Sequence, residues 1–213
     1  MKTAILISGR GSNMEALLTA AADPDYPAGI ALVLSNRPGA PGLDKAAARG
    51  IPTLVVDHKQ YDSREAFEAA VTDALADAGA ELVCLAGFMR LLTDGFVERW
   101  RDRLINIHPS LLPAFRGLHT HEQALAAGVR LHGCTVHFTR PAMDEGPIIA
   151  QAAVPVHPDD DADTLADRVL AAEHRIYPLA VRLIAEGRAR VENERVLVDD
   201  AAIPQTPLIN PAG

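Results

Sequence analysis

Short apolar segments alternate with helix-like segments through the first half of the chain, and this alternation constrains the fold more than any other feature. The pattern predicts strands at residues 4–7, 30–34, 53–56, 82–85 and 104–107, and helices at 14–22, 43–49 and 63–78. Ser63 stands in the N-cap position of the last helix. Apolar strands separated by helices are typical of a parallel sheet covered on both faces. The first half therefore predicts a parallel α/β arrangement.

The pattern changes in the second half of the chain. Residues 135–139 and 148–156 are extended runs without a full helix between them, which favours a mixed sheet there. A long amphipathic helix is predicted at 164–186, with four aspartates near its positive N-terminal end, and a hairpin at 191–198. We therefore expect one domain over residues 1–200, followed by a Pro-rich, loosely ordered tail at 201–213.

Charge and cysteine usage exclude several classes of function. The chain has 213 residues and a formal net charge of −8, so no basic surface for nucleic acid or an anionic membrane is expected. No apolar run approaches the roughly 18 residues of a membrane span. Cys84 and Cys134 lie in apolar runs, as buried reduced thiols do in the cytoplasm. We expect a cytoplasmic enzyme or binding protein for small molecules, either a monomer or a homodimer.

A Gly-rich loop at residues 8–13 joins the first predicted strand to the first helix. Backbone N–H groups and the helix dipole converge at such a point, which favours an anion. The dinucleotide fingerprint fails because Met14 replaces its third glycine, and Ser35 and Asn36 stand where its acidic residue belongs. The loop therefore predicts a site for a single phosphate, with Ser12 and Asn13 contributing side chains. The alternative is a tight turn that merely needs glycine.

Polar side chains end the fifth predicted strand. Asn106 and His108 are two residues apart and so leave the same face, and Pro109 ends the strand. An amide beside an imidazole suits stabilisation of an oxyanion together with proton transfer. Asp144, in a turn before the next strand, could orient His108. The alternatives are a histidine bonded for structural reasons and an aspartate that only shapes its turn.

The remaining histidines do not predict a metal site. His119 and His121 could share a metal ion, but no third ligand has the required spacing and no cysteine pair is near. His58, His132, His157 and His174 are expected at the surface or as polar residues in the core. No serine-nucleophile motif is present in the sequence either.

Several segments together resemble the phosphoribosylglycinamide formyltransferase family. They include Ile-Ser-Gly-Arg-Gly-Ser-Asn at 7–13, Asn-Ile-His-Pro-Ser-Leu-Leu-Pro at 106–113 and Asp-Glu-Gly-Pro-Ile-Ile at 144–149, with further matches at 62–67, 85–92 and 117–121. The resemblance implies the three-layer α/β formyltransferase fold, with a Rossmann-like parallel N-terminal half and a mixed sheet in the second half. It also implies transfer of formyl from 10-formyltetrahydrofolate to the amine of 5′-phosphoribosylglycinamide in purine biosynthesis, without a metal.

The resemblance assigns roles to individual residues. The implied catalytic residues are Asn106, His108 and Asp144, where protonated His108 and Asn106 donate to the formyl oxygen and Asp144 helps to move the proton. The implied ribonucleotide contacts are Gly11, Ser12, Asn13 and Glu173. The implied folate contacts are Arg64, Met89, Arg90, Leu91, Leu92 and Asn106. Taken alone, Arg64 is expected to be solvated, Glu173 to lie on a helix surface, and the apolar residues 89, 91 and 92 to lie in the core.

Three departures from the family pattern and three rival functions stay open at this point. Pro141 stands where an acidic residue is common, residues 114–116 differ from the usual loop, and Arg10 adds a cation without an assigned role. Methionyl-tRNA formyltransferase should carry a further C-terminal domain, and formyltetrahydrofolate deformylase an N-terminal regulatory domain. Neither fits within 213 residues. A non-catalytic sugar-phosphate-binding module would not need Asn106, His108 and Asp144 together.

Overall fold

The computed structural model describes residues 1–200, 202 and 205–211. The strands are β1 Lys2–Ile7, β2 Gly29–Ser35, β3 Thr53–Val55, β4 Leu82–Leu85, β5 Leu104–His108, β6 Leu131–Phe138, β7 Ile148–Pro155, β8 Ala189–Glu192 and β9 Arg195–Val198. The helices are α1 Ser12–Ala21, α2 Pro41–Ala47, α3 Arg64–Asp77, α4 Asp94–Arg99, α5 Thr120–Ala126 and α6 Ala162–Ala185. A short 3₁₀ helix covers His58–Gln60. Strands β1 to β7 form a mostly parallel sheet in the order β3-β2-β1-β4-β5-β6-β7.

The chain divides into two compact units. The first unit comprises Met1–Asn106 and Phe138–Pro141, and the second comprises Ile107–His137 and Ala142–Gly213. The expectation of a single domain over residues 1–200 stays a prediction. In the first unit, β1 pairs in parallel with β2 and β4, β2 with β3, and β4 with β5. The parallel half is therefore confirmed, and the carboxyl ends of these strands share one edge.

The first unit buries both faces of its central strands, as their uninterrupted apolar sequences predict. Ala4 and Leu6 of β1 pack in one core cluster with Phe67, Val71 and other residues of α3 and α4. The residues that alternate with them in β1 are equally buried, and α1 and α2 contact β2. Strand β3 differs, because its three residues are exposed and it ends the sheet order.

The second unit contains the antiparallel pair β6 and β7 and the long helix α6, which contacts β7. The mixed character predicted for this half is confirmed. Helix α6 starts two residues earlier than predicted, because Asp161 caps it and exchanges hydrogen bonds with Thr164. The predicted hairpin is β8 and β9, and its two turn residues, Asn193 and Glu194, have positive φ angles.

Two short helices and part of the tail depart from the sequence-based expectation. Helices α4 and α5, of six and seven residues, were not predicted. In the tail, the side-chain amide of Asn210 donates to the carbonyl oxygens of Arg130 (2.6 Å) and Val156 (3.1 Å), so that residue is held rather than loose. Residues 201, 203, 204, 212 and 213 of the predicted tail lie outside the described residues. None of the described helices is long and apolar enough to cross a membrane.

Candidate active site

The second unit brings His108 and Asp144 together, although a long stretch of sequence separates them. Strand β5 extends through His108, one residue further than predicted, and delivers a side chain that is 5% exposed. The Nδ1 atom of His108 lies 3.4 Å from Oδ1 of Asp144, whose side chain is 12% exposed. The other carboxylate oxygen of Asp144 accepts a hydrogen bond from the backbone N–H of Gly117 at 2.7 Å. The two side chains therefore form a nearly buried imidazole–carboxylate pair.

Both ring nitrogens of His108 face oxygen atoms. The Nε2 atom lies 3.0 Å from the carbonyl oxygen of Phe115, which can only accept a hydrogen bond. Nδ1 faces the Asp144 carboxylate, so an oxygen acceptor lies beside each ring nitrogen. An imidazole held in this way can transfer a proton or donate a hydrogen bond to an oxyanion. Asp144 and Phe115 both have positive φ values, of 51° each, so the backbone is constrained on both sides of His108.

The loop that follows His108 is fixed by side chains that sequence reasoning did not identify. The hydroxyl of Thr135 donates to the carbonyl oxygen of Ser110 at 2.7 Å and accepts from the backbone N–H of Leu112 at 3.1 Å. The amide nitrogen of Gln151 donates to the carbonyl oxygen of Leu112 at 3.0 Å. Thr135 and Gln151 come from β6 and β7, so no local sequence pattern links them to this loop.

Two further histidines, His121 and His132, lie near His108, and their surroundings favour the neutral form of their own rings. His121 and His132 stack edge-to-face with ring centroids 5.3 Å apart. Burial lowers the pKa of His132 to about 4, with a further contribution from the charge of His121. Burial also lowers the pKa of His121. His132 was expected at the surface or as a polar residue in the core, and it is buried. His121 was considered together with His119 as a possible pair of metal ligands.

Asn106 lies in β5, two residues before His108, within the first unit. The expectation that Asn106 leaves the same face of the strand as His108 stays a prediction. Asn106 is only partly buried, unlike its apolar neighbours in β5. An amide at this strand end suits donation to a ligand oxygen.

The Gly-rich loop lies where the sequence predicts it, at the N-terminus of α1 in the first unit. Gly11 is the N-cap residue and has a left-handed backbone, with φ of 71°. A Cβ atom there would come within 3.1 Å of Met14 and 3.3 Å of the backbone of Gly42. No side-chain hydrogen bond caps this helix within the described residues. The N–H groups of its first turn, which have no partner inside the helix, can therefore bind a phosphate.

Glu173 lies in α6 of the second unit and is 6% exposed, contrary to the surface position that its local sequence suggests. It lies near Cys134. Burial raises the pKa of the Cys134 thiol to about 12, and the negative charge of Glu173 contributes to this rise. A carboxylate at a buried position requires polar partners. Cys134 itself is fully buried.

The folate segment predicted at residues 89–92 lies between β4 and α4 in the first unit. Met89 and Leu91 are 62% and 64% exposed, so the expectation that they lie in the core is wrong. Leu92 is partly buried against the core cluster. Arg64 is exposed at the first position of α3, where the sequence suggests a solvated charge. Exposed apolar side chains beside the strand ends offer a surface for a flat ligand.

Two of the departures from the family pattern, Pro141 and residues 114–116, lie in segments that form ion pairs. Arg140, just before Pro141, forms an ion pair with Asp102 at 2.7 Å in the first unit. Arg116 pairs with Glu145 in the second unit and ties the loop after His108 to the Asp144 turn. Within the described residues, no group of three or more His, Cys, Asp or Glu side chains is placed to hold a metal ion.

A buried histidine–aspartate pair, such as the one in the second unit, supplies the groups that acid–base catalysis uses. Residues 1–181 match the formyl transferase family, and the chain belongs to this family. The structure is also similar to glycinamide ribonucleotide transformylase 1 from Symbiobacterium toebii, with a TM-score of 0.91 and 48% identity over 94% of each chain. The fold class predicted from the sequence is thereby confirmed.

Two relatives differ greatly in length. The chain is 41% identical to phosphoribosylglycinamide formyltransferase from Escherichia coli over 96% of each protein. It is 51% identical to the trifunctional purine biosynthetic protein adenosine-3 from Gallus gallus over 90% of its own length, but it spans only 19% of that protein. Membership of the family implies a small-molecule reaction with a folate-derived co-substrate.

Proposed function

We propose that this enzyme transfers the formyl group of 10-formyltetrahydrofolate to the primary amine of 5′-phosphoribosylglycinamide. The products are 5′-phosphoribosyl-N-formylglycinamide and tetrahydrofolate, and the reaction is a step of de novo purine biosynthesis. The observation that carries the proposal is the buried pair of His108 and Asp144, 3.4 Å apart. Near-complete coverage of relatives that bear this activity in their names supports the choice of acceptor.

The geometry suggests a separate catalytic role for each of the three side chains His108, Asn106 and Asp144. The amine attacks the formyl carbon, and His108 donates a hydrogen bond to the oxygen as negative charge develops on it. Asn106 supplies a second donor. Asp144 keeps His108 charged and oriented, and assists transfer of the proton from the amine to the folate nitrogen that leaves. Burial lowers the pKa of both His121 and His132, so neither ring favours a second cation beside His108.

Both substrates are anions, and the chain itself carries a net charge of −8. Binding must therefore rely on local donors rather than on the overall field. We assign the phosphate to Gly11, Ser12 and Asn13 at the start of α1, and the ribose hydroxyls to Glu173. We assign the folate to a surface made of Arg64, Met89, Arg90, Leu91, Leu92 and Asn106.

We place the enzyme in the cytoplasm, as a monomer or a homodimer that needs no metal. The support for the location is chemical. Cys84 and Cys134 are both fully buried thiols and are not joined in a disulfide. Such thiols are usual in a reducing compartment.

The proposal is tested by following the absorbance rise that accompanies loss of the formyl group from 10-formyltetrahydrofolate. We expect turnover only when 5′-phosphoribosylglycinamide is present. His108→Ala should lower kcat by at least about a hundredfold, since it removes the charged donor. His157→Ala, which alters an exposed histidine of the same unit, is the matched control and should leave kcat within about twofold.

The rival functions give different results in the same assay. Formyl loss to water without the ribonucleotide indicates a formyltetrahydrofolate hydrolase. Transfer to a charged initiator tRNA indicates a tRNA formyltransferase. Binding of the ribonucleotide without any turnover indicates a sugar-phosphate-binding module. Any of these results contradicts the proposal.

A further inference from the structure

The segment between β4 and α4 is irregular, yet buried side chains hold its main chain at both ends. Residues 86–93 contain neither helix nor strand, and Met89 and Leu91 point outward from them. An irregular segment with exposed apolar side chains is expected to move unless its backbone is bonded. The bonds at its two ends come from Ser8, the first residue of the Gly-rich loop, and from Glu68, which has no role in the site described above.

Ser8 holds the first end. Its backbone N–H donates to the carbonyl oxygen of Gly87 at 3.2 Å, and its hydroxyl accepts from the backbone N–H of Met89 at 2.8 Å. The same hydroxyl donates to Oδ1 of Asn36 at 2.5 Å. Asn36 is fully buried and Ser8 is 6% exposed. The hydroxyl thus has a fixed donor and a fixed acceptor, and its orientation is determined.

Glu68 holds the second end. It comes from the middle of α3 and is only 4% exposed. One of its carboxylate oxygens accepts from the backbone N–H of Thr93 at 2.8 Å, and the other accepts from the hydroxyl of Thr93. The Thr93 hydroxyl also caps α4 by accepting from the N–H of Phe96 at 3.3 Å. A buried carboxylate is costly unless it is fully bonded, so this pair fixes where the segment ends.

We propose that Ser8 and Glu68 are positioning residues that hold residues 89–92 as a preformed surface for the formyl folate. This inference rests on the proposed function, because that function assigns the folate to this segment. A surface that is already ordered spares the ligand the entropic cost of ordering it, so the bonds should act on folate affinity. Glu68 should not act on the ribonucleotide or on the chemical step, because its hydrogen bonds go to Thr93.

The test compares Glu68→Ala with Glu68→Gln. The alanine variant should raise KM for 10-formyltetrahydrofolate about tenfold, while kcat and KM for the ribonucleotide stay within about twofold. Glu68→Gln should keep the KM for 10-formyltetrahydrofolate close to the wild-type value. The glutamine carbonyl oxygen still accepts from the N–H of Thr93, and its amide can donate to the Thr93 hydroxyl. Asp73→Ala, at an exposed position of the same helix, is the matched control and should change neither KM.

Amide hydrogen exchange supplies a readout that is independent of catalysis. The backbone amide of Met89 should exchange about tenfold faster in Ser8→Ala, and that of Thr93 about tenfold faster in Glu68→Ala. The exchange rates of the other amides of the first unit should stay unchanged. If Glu68→Ala fails to fold, Thr93→Val removes only the hydroxyl contacts and should show the same direction in KM.

Three results overturn the inference: unchanged exchange, faster exchange without a rise in the KM for folate, or an equal rise in both KM values. A wild-type enzyme that transfers no formyl group refutes the proposed function instead. In that case exchange still decides whether Ser8 and Glu68 restrain the segment, so the two failures are distinguishable.

Discussion

Replacing Asp144 by asparagine tests the electrostatic part of the mechanism with little change in shape. The carboxylate makes two contacts: one oxygen faces Nδ1 of His108 at 3.4 Å, and the other accepts from the N–H of Gly117 at 2.7 Å. The asparagine carbonyl can keep the bond to Gly117, which preserves the turn. The side chain then lacks the negative charge that faces the imidazole.

The magnitude follows from the separation of the charges. At 3.4 Å and an effective dielectric constant of about 20, two unit charges attract by about 5 kcal/mol. This is an upper bound, because the asparagine dipole recovers part of the interaction. A loss of about 3 to 4 kcal/mol in the transition state corresponds to a fall in kcat of roughly 10² to 10³. Removal of a charge that orients a catalytic histidine has effects of this order or larger.

The assay measures kcat with both substrates saturating at about neutral pH, and thermal unfolding checks that the variant is folded. Glu145→Gln is the matched control. It changes the charge of the adjacent residue, whose side chain is 45% exposed and pairs with Arg116 at the surface. We expect that control to stay within about twofold of the wild type. A folded Asp144→Asn enzyme that keeps more than about a third of its kcat refutes the assigned role.

Three further predictions concern other parts of the molecule. Gly11→Ala should raise KM for the ribonucleotide about tenfold, because φ is 71° and the new Cβ approaches Met14. Asp160→Asn should lower the unfolding free energy by about 1 kcal/mol at neutral pH, because Arg168 holds the pKa of Asp160 well below its usual value. In denaturation curves the difference should begin to shrink as pH falls below about 4, and it should disappear only at the lower pH at which Asp160 of the folded protein is protonated. Cys134 should resist alkylation at about pH 8 until the protein unfolds, which mass spectrometry can follow.

The parallel half of the fold could be predicted because its signals are local. Each buried strand is a short apolar run. The residues at which the strands and helices begin or end act through their own backbone or side chain. Ser63 illustrates this, because its hydroxyl accepts from the N–H of Ala66 at 3.1 Å and starts α3 where expected. The Gly-rich loop could be located in the same way, since the positive φ of Gly11 is a backbone requirement that glycine meets.

The short helices and the contacts of the site could not be predicted in this way. Helices α4 and α5 contain less than two full turns each, too few for an apolar period to emerge. The pairing of His108 with Asp144 depends on how the chain folds back, so residue types only suggest it and the resemblance to a family supplied it. Thr135 and Gln151 carry no signal at all, because a threonine or a glutamine in a strand has many ordinary uses.

Buried carboxylates are the case where a usable signal existed. In α6, Glu173 lies four residues after Val169 and three before Ile176, within the stripe of buried apolar residues. In α3, Glu68 lies three residues before Val71 and seven before Leu75, again within the buried stripe. Helical periodicity therefore predicts that both glutamates face the interior, although glutamate usually lies at the protein surface.

A carboxylate in an apolar stripe loses hydration free energy on folding, which a neutral apolar residue would not. The loss is offset only by donors at the correct distance, and for Glu68 these are the N–H and the hydroxyl of Thr93. Glu68 should therefore stabilise the folded enzyme, and Glu68→Ala should lower the free energy of unfolding in denaturation curves. Glu173, which the proposed function assigns to the ribose hydroxyls, should act on the substrate instead, so Glu173→Gln should raise the KM for the ribonucleotide.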